Sequence, residues 1–373
     1  SKYGQAEWYR TGKVAVEAAR QTARRGVVET EAERLYLEAA ALLTQKELFD
    51  VKTIVGRLQR DYPATYAVKD RARKPSLSDL EMATANLGKR IIVRRDGKGD
   101  FDTIQAALAS AEPRGLVEIQ DNGPYKENIS ICQEGLTLRG ARGCLPIVTS
   151  AGLQGVNHLV EVKSAHASLQ RLVLLHTAAS GNEPVCLNVQ ASGFSLAFSL
   201  VIDGVTGNRA FCHWNPSNLR ADVTNCLFIG QPFVGSPVRF INCLFVGEGV
   251  HAHAPCELRF CTIANKVQSV LPGTVLADSI IRWVWLYDVP KSRVENCDVF
   301  GPEGFKNESP KGGYFRADPR FRDPANLDYR LMPGSPCIGK ASDGGDIGCR
   351  YTPEMIELCK VALELRRRGI IKF

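Results

Sequence analysis

From Val117 to about Asp298 the chain alternates short apolar segments with turns, and no stretch carries the period of a long helix. Val117-Glu118-Ile119, Leu136-Thr137-Leu138, Leu169 to Leu175, Val238 to Phe245 and Val275 to Ile281 are such segments. Several end on a shared pair: Asn225-Cys226, Asn242-Cys243 and Asn296-Cys297, with Phe260-Cys261 and Asp278-Ser279 in the same register. The second residues fall at 226, 243, 261, 279 and 297, a step of 17 and then three of 18. A unit this short cannot bury its apolar face alone and must stack on its neighbours. The pattern predicts a mainly β fold, a single-stranded right-handed parallel β-helix of roughly eight coils. Asn is expected at a tight corner because it tolerates left-handed backbone better than other non-glycine residues. Stacked Asn side chains should form a ladder, interrupted where Phe260 and Asp278 replace Asn.

The flanks read differently. Glu7 to Arg25 is Ala-rich and helix-favouring, and Thr30-Glu31-Ala32-Glu33 reads as a capping box. Phe49 to Leu58 forms another helix, stopped at Tyr62-Pro63. These pairs loosely resemble tetratricopeptide-like hairpins. Lys69 to Pro75 reads as a polar linker, and Ser78 to Glu81 as a second capping box. Asp102 to Ala111 should be a short amphipathic helix, and Thr352-Pro353-Glu354 opens a last helix through Leu365. The expected organisation is a helical region with linker over 1–88, a β-helix over 89–350 with a cap helix near 102–111, and a C-terminal helix over 351–373.

The net charge of +7 lies mostly in residues 1–90, which hold 17 basic and 12 acidic side chains. A mild basic excess permits weak attraction to anionic polymers without selecting among them. No specific nucleic-acid partner is expected. No apolar run is long enough to span a membrane, and no signal peptide is visible. The twelve cysteines include no C-x-x-C and recur once per coil, so mostly free, buried thiols are expected.

Gly97-Lys98-Gly99-Asp100-Phe101-Asp102-Thr103-Ile104-Gln105-Ala106-Ala107-Leu108 resembles the N-terminal cap of pectin-lyase-like β-helices, pectin methylesterases above all. Gly123-Pro124-Tyr125-Lys126-Glu127-Asn128-Ile129 resembles their G-x-Y-x-E-x-V motif, and Leu136 to Gly140 their I-T-L-x-G step. The resemblance implies the fold. In that family one carboxylate attacks the ester and a second acts as acid and base. The matching stretches of this chain offer Pro232 and Val250 at those positions, which implies that esterase chemistry is lost. Asp318 to Asp323, Asp328 to Leu331, Pro333 to Pro336 and Asp346-Ile347-Gly348 resemble the closing segment of many bacterial β-helix proteins. Such a segment should cover the open last rung, which would otherwise be a sticky edge.

The candidate chemistry is scattered. Asp203, Asp222, Asp278, Arg282 and His213 are the candidate catalytic groups, and the two acids Asp203 and Asp222 are first read as turn residues. In His213-Trp214-Asn215 a buried Trp is expected. Trp283, Trp285 and Tyr287 alternate and should project together from a strand, under a covering segment or as a binding row. His251-Ala252-His253, with Cys256 and Cys261 nearby, matches no established metal motif; one exposed and one packed His in a loop is expected, with His251 and His253 the weak metal candidates. No cofactor is expected. Two functional classes follow: a non-catalytic recognition or scaffold module for a glycan or protein partner, within a larger bacterial surface or signalling protein, or a polysaccharide lyase or hydrolase with a divergent site. A sensory region of a receptor-like kinase is a third context, and an extracytoplasmic or cell-surface location is expected.

Overall fold

The computed structural model describes residues 24–44, 47–177, 184–204, 209–215, 219–269, 272–286, 291–306 and 310–373. The chain divides into two compact units, Ser1–Leu87 and Gly88–Phe373.

In the first unit, helix α1 (24–44) and helix α2 (Leu48–Asp61) share one apolar core, with Leu35, Tyr36 and Ala39 packed with Val51, Val55 and Leu58. Short helices α3 (Tyr66–Lys69) and α4 (Leu77–Thr84) complete it. Three sequence expectations are corrected here. Thr30 lies inside α1 and returns its hydroxyl to the Gly26 carbonyl at 2.8 Å, so it caps nothing. The capping box of α4 is Ser76 with Asp79, two residues before the expected one. The 69–75 stretch is not a free linker, because Arg73 pairs with Glu33 at 2.6 Å and covers the Tyr36 ring at 4.2 Å. The expected helix over 7–25 lies outside the described residues except for its last two.

The second unit winds through three stacks of parallel strands. The first is a ten-stranded sheet from Arg90–Val93 to Arg293–Glu295. The second runs from Ile147–Thr149 to Cys297–Val299, and the third from Ile129–Ile131 to the end of Ile280–Leu286. Thr262–Ser269 and Ile280–Leu286 each turn the corner from the second stack into the third. A chain that visits three sheets in order and returns one rung up is a right-handed parallel β-helix.

The repeat in the sequence marks the corner between the first and second sheets. Leu244 N–H donates to the Cys226 carbonyl, Thr262 to Cys243, Ile280 to Cys261 and Asp298 to Ser279, at 2.9–3.1 Å, so the five positions stack in one column. The residue before each is left-handed, with φ between +48° and +53°. The ladder is interrupted at Phe260, as expected, but not at Asp278: Asn242 donates to Asn225 at 2.7 Å, and Asn296 donates to the Asp278 carboxylate at 3.2 Å, because an Asp oxygen accepts as an Asn oxygen does. Arg171 and Phe198 extend the left-handed column two coils further, where no Asn announces it. The following thiol or hydroxyl donates to the carbonyl two residues back, as in Cys226 to Thr224 at 3.2 Å, Ser279 to Ala277 at 2.7 Å and Cys297 to Glu295 at 3.3 Å. None of the twelve cysteines is in a disulfide, and ten are buried.

The sheets differ in what covers them. Strands of the first sheet alternate buried and half-buried residues, as in Ala221–Thr224 and Cys256–Arg259, which marks a solvated outer face. The second sheet is buried on both faces. Phe228 and Phe245 stack inside at 5.2 Å, while Leu227, Ile229 and Leu244 face outward into a second core. That outer core is filled by Met355, Leu358 and Leu365 of helix α6 (Pro353–Arg367) and by Leu327 and Tyr329. The closing segment lies along this flank and reaches the last rung from the side, where the Cys337 thiol and Ala317 N–H donate to the Asp298 carboxylate at 3.3 and 3.0 Å. It is held by Arg350 N–H on the Asn242 side chain (2.6 Å), Cys349 N–H on Thr262 (2.9 Å) and Ser342 on Asp278.

The cap helix α5 (Ile104–Ser110) plugs the first coil with Ile104, Ala107 and Leu108. Its N-terminus is capped from a distance: the Glu127 carboxylate accepts from Ile104 and Gln105 N–H at 3.0 and 2.8 Å. Tyr125 of the same motif is buried and donates its hydroxyl to Asp121 at 3.0 Å. The Gly-x-Tyr-x-Glu stretch is thus a structural joint between cap and coil.

Candidate functional site

Among the described residues, the outer face of the third sheet carries neither the tail nor a continuous ladder of ion pairs. Its strands put Phe233 opposite His251, His251 opposite Gln268, and Gln268 opposite Trp285. At ~4.8 Å per rung, Phe233 and Trp285 stand about 14 Å apart along one outward column. The neighbouring column carries Lys266 opposite Trp283.

Trp214 follows the strand Arg209–His213 and is 59% exposed. It is nonetheless fixed. Its ring lies flat on Gly235, where a Cβ would come within 2.3 Å, and it stacks on Phe233 with centroids 6.3 Å apart and planes at 7°. The Arg209 guanidinium covers Phe233 at 4.1 Å. The expectation for His213 and Trp214 is reversed: the strand register turns His213 into the interior, between the Ser236 and Ala191 carbonyls at 3.3 Å, and leaves the Trp outside. Burial pushes the His213 imidazole below its ordinary pKa.

His251 and His253 are both half-buried and lie at a strand end, not as one exposed and one packed residue of a loop. Their Nε2 atoms face each other at 3.1 Å. His253 packs on Phe233 at 4.9 Å, and His251 meets its edge at 5.6 Å. Burial, then the neighbouring His253, Lys266 and Arg209, push the His251 pKa down. Cys256 and Cys261 do not join them; both face the core, where Cys256 sits 3.9 Å from the Thr274 hydroxyl.

Trp283 and Trp285 are half-buried on this same face. Lys306 lies 4.1 Å over the Trp285 ring, and Lys266 and Lys306 flank Trp283 at about 6 Å. Tyr287 lies outside the described residues. At the cap end of the sheet, Glu127, Gln154, His158 and Glu161 line a cavity of about 450 Å³. Its acids are engaged, Glu127 by the cap helix and Glu161 by Lys163 at 2.8 Å.

The remaining candidate catalytic groups are dispersed over different faces. Asp278 is fully buried at the corner of the first and second sheets and accepts four hydrogen bonds from Ser342, Asn296 and Arg259. Asp222 is on the outer face of the first sheet, paired with Arg239 at 3.0 Å. Asp203 ends a second-sheet strand against Gly230. Arg282 is exposed in the strand that turns from the second sheet to the third. These groups do not converge on one reacting atom, as acid–base chemistry requires. Pro232 and Val250, which replace the expected carboxylates, are buried in the wall of the third sheet. Phe233, Lys266 and Lys306 escaped sequence reasoning; strict alternation from Gln231 and from Gly249 is the signal that places Phe233 and His251 on one face. Among the described residues no group of three or more His, Cys, Asp or Glu is placed to hold a metal ion.

No family model matches the chain, and no curated protein matches it. Solved structures similar to it are the pectin methylesterase from carrot (14% identity, 61% of this chain and 88% of that one, TM-score 0.39), the pectin methylesterase PemA from Erwinia chrysanthemi (14%, 65% and 98%, 0.36) and the pectate lyase Pel9A (9%, 71% and 96%, 0.43). The strand pairing of the chain itself makes it a right-handed parallel β-helix.

Proposed function

We propose that the chain is a non-catalytic recognition module that takes a glycan along the outer face of its third sheet. The observation that carries this reading is the exposed Trp214 ring, held flat on Gly235 and stacked on Phe233. A ring immobilised before binding loses little entropy on complex formation, and an aromatic face offers a sugar both apolar contact and a polar edge. Trp283 and Trp285 extend the aromatic surface along the coil axis, with Arg209, Lys266 and Lys306 as donors beside it. The candidate acids are tied into the framework, which favours binding over turnover. The partner expected is an extended polysaccharide, since the face is long, open and repetitive.

The test is calorimetric titration of acidic and neutral oligosaccharides into the full chain, with a turnover assay on the same ligands. Trp214→Ala is expected to weaken binding roughly tenfold, or about 1.4 kcal/mol, with the fold intact by circular dichroism. Turnover of any ligand would overturn the non-catalytic reading. Binding that survives both Trp214→Ala and Trp285→Ala would move the ligand to another face.

A further inference from the structure

We infer that His251 and His253 form a two-imidazole binding site for a borderline transition-metal ion, Cu2+ or Ni2+ before Zn2+. Residues two apart on a strand project from the same face, and here both side chains turn their Nε2 atoms toward one point, 3.1 Å from each other. Imidazole nitrogens lie about 2.0–2.1 Å from such an ion, so two bonds spanning this gap enclose an angle of about 98°. That is close to the right angle of a tetragonal Cu2+ or Ni2+ site and within a small adjustment of the tetrahedral angle of Zn2+.

The surroundings hold this geometry without an ion. Phe233 packs on both rings, at 4.9 and 5.6 Å, and is itself clamped by Trp214 and Arg209. The rings are therefore positioned by an aromatic bed as well as by the contact between them. In the free protein one Nε2–H can donate to the other Nε2. Loading needs only a shift of that hydrogen to Nδ1, so two neutral imidazoles present two lone pairs.

The electrostatics select the class of ion. Arg209 and Lys266 place positive charge beside the pair. They oppose a hard cation held by charge alone, and no carboxylate among the described residues joins the pair to offset them. Only an ion bound through strong imidazole coordination overcomes that field, which places Mg2+ and Ca2+ outside the site and follows the order in which Cu2+ exceeds Ni2+ and Zn2+. With two protein ligands, the remaining coordination positions are left to water or to an incoming oxygen ligand on the open side of the sheet.

The experiment uses the full chain without an affinity tag, titrated with NiCl2, CuCl2, ZnCl2, CaCl2 and MgCl2. The readouts are calorimetry and quenching of Trp214 fluorescence, and Ni2+ is the primary probe because the exposed thiol of Cys132 does not reduce it. One Ni2+ per chain is expected to bind, with quenching, and neither Ca2+ nor Mg2+ should bind there. His251→Ala and His253→Ala should each weaken Ni2+ binding at least tenfold, and His251→Gln should do the same while keeping a side chain against Phe233. Electron paramagnetic resonance of Cu2+ on the unmodified chain should show two coordinated nitrogens, a readout that does not depend on any variant folding. Unchanged Ni2+ affinity in both alanine variants, equal binding of Ca2+, or a Cu2+ spectrum without two nitrogen ligands would each overturn the site.

Discussion

Asp278 separates the structural from the catalytic reading most sharply. Its carboxylate accepts from the Ser342 backbone and hydroxyl at 2.7 Å each, from Asn296 Nδ2 at 3.2 Å and from Arg259 Nη1 at 3.2 Å. It is fully buried and left-handed at φ +48°. Asp278→Ala leaves Asn296 Nδ2 and two donors of Ser342 without their acceptor and leaves Arg259 with Glu257 alone. Removing one partner of a buried pair costs about 3–5 kcal/mol. The lower end applies here, since Arg259 keeps 28% of its side chain in solvent and can rehydrate. The left-handed backbone adds up to about 1 kcal/mol, because Asp tolerates it and Ala does not. Asp278→Asn keeps the backbone preference and one accepting oxygen, and should cost about half as much. The assay is the urea midpoint together with amide exchange in the segment 337–350, which the carboxylate ties to the corner. Exchange there should rise before the core strands exchange. An alanine variant with an unchanged midpoint and a protected tail would refute the clamp. Loss of a glycan-cleaving activity at unchanged stability would restore Asp278 as a catalytic group.

Two further outcomes follow from the same framework. Cys261→Ser should be tolerated within about 1 kcal/mol, because Ser279 already occupies this column and donates to the carbonyl two residues back; Cys261→Leu should cost about 1–3 kcal/mol by overpacking, and equal urea midpoints for the two would refute the column. Stability should fall as pH drops below the ordinary His value of about 6.5. His176 accepts from the Ser150 hydroxyl at 2.9 Å and donates to the Asn157 carbonyl at 3.3 Å, a network complete only when the ring is neutral, and burial lowers its pKa. The unfolded chain then binds the extra proton, so folding loses free energy on acidification. A midpoint that rises from pH 7.5 to pH 5.5 would contradict this.

Much of the fold was legible because the corner column uses residues that announce it. Asn225, Asn242 and Asn296 are suited to left-handed backbone, and a small Cys or Ser after each has a local carbonyl to donate to. The column was invisible at Arg171 and Phe198, where stacking against ordered rungs imposes the same φ on residues that do not prefer it. Local chemistry misled where tertiary packing won: Thr30 sits in a continuing helix, and the Ser76 box pre-empts the one at Ser78. The candidate site was less legible. His213 and Trp214 are adjacent in sequence, and nothing local says which of the two enters the core.

The division of labour among the three sheets narrows where a partner can sit. The apolar runs Val173-Leu174-Leu175, Leu200-Val201-Ile202 and Leu227-Phe228-Ile229 are buried on both faces, because α6 and the tail cover the outward side. On that flank the tail leaves a cavity of about 530 Å³ between α6 and Leu145, Ile147, Arg171 and Phe198. The first sheet presents Arg220, Asp222, Arg239, Glu257 and Arg259 as interleaved ion pairs, whose charges already satisfy one another. An incoming charged group there must displace an existing partner and gains little net energy. Among the described residues, only the third sheet combines an exposed, preorganised aromatic ring with cations resting on ring faces and a facing pair of imidazoles. Lys306 can exchange its weak π contact for a ligand oxygen at small cost. The proposed recognition is therefore best tested on this face, where Trp214 is exposed and Lys306 rests on the Trp285 ring.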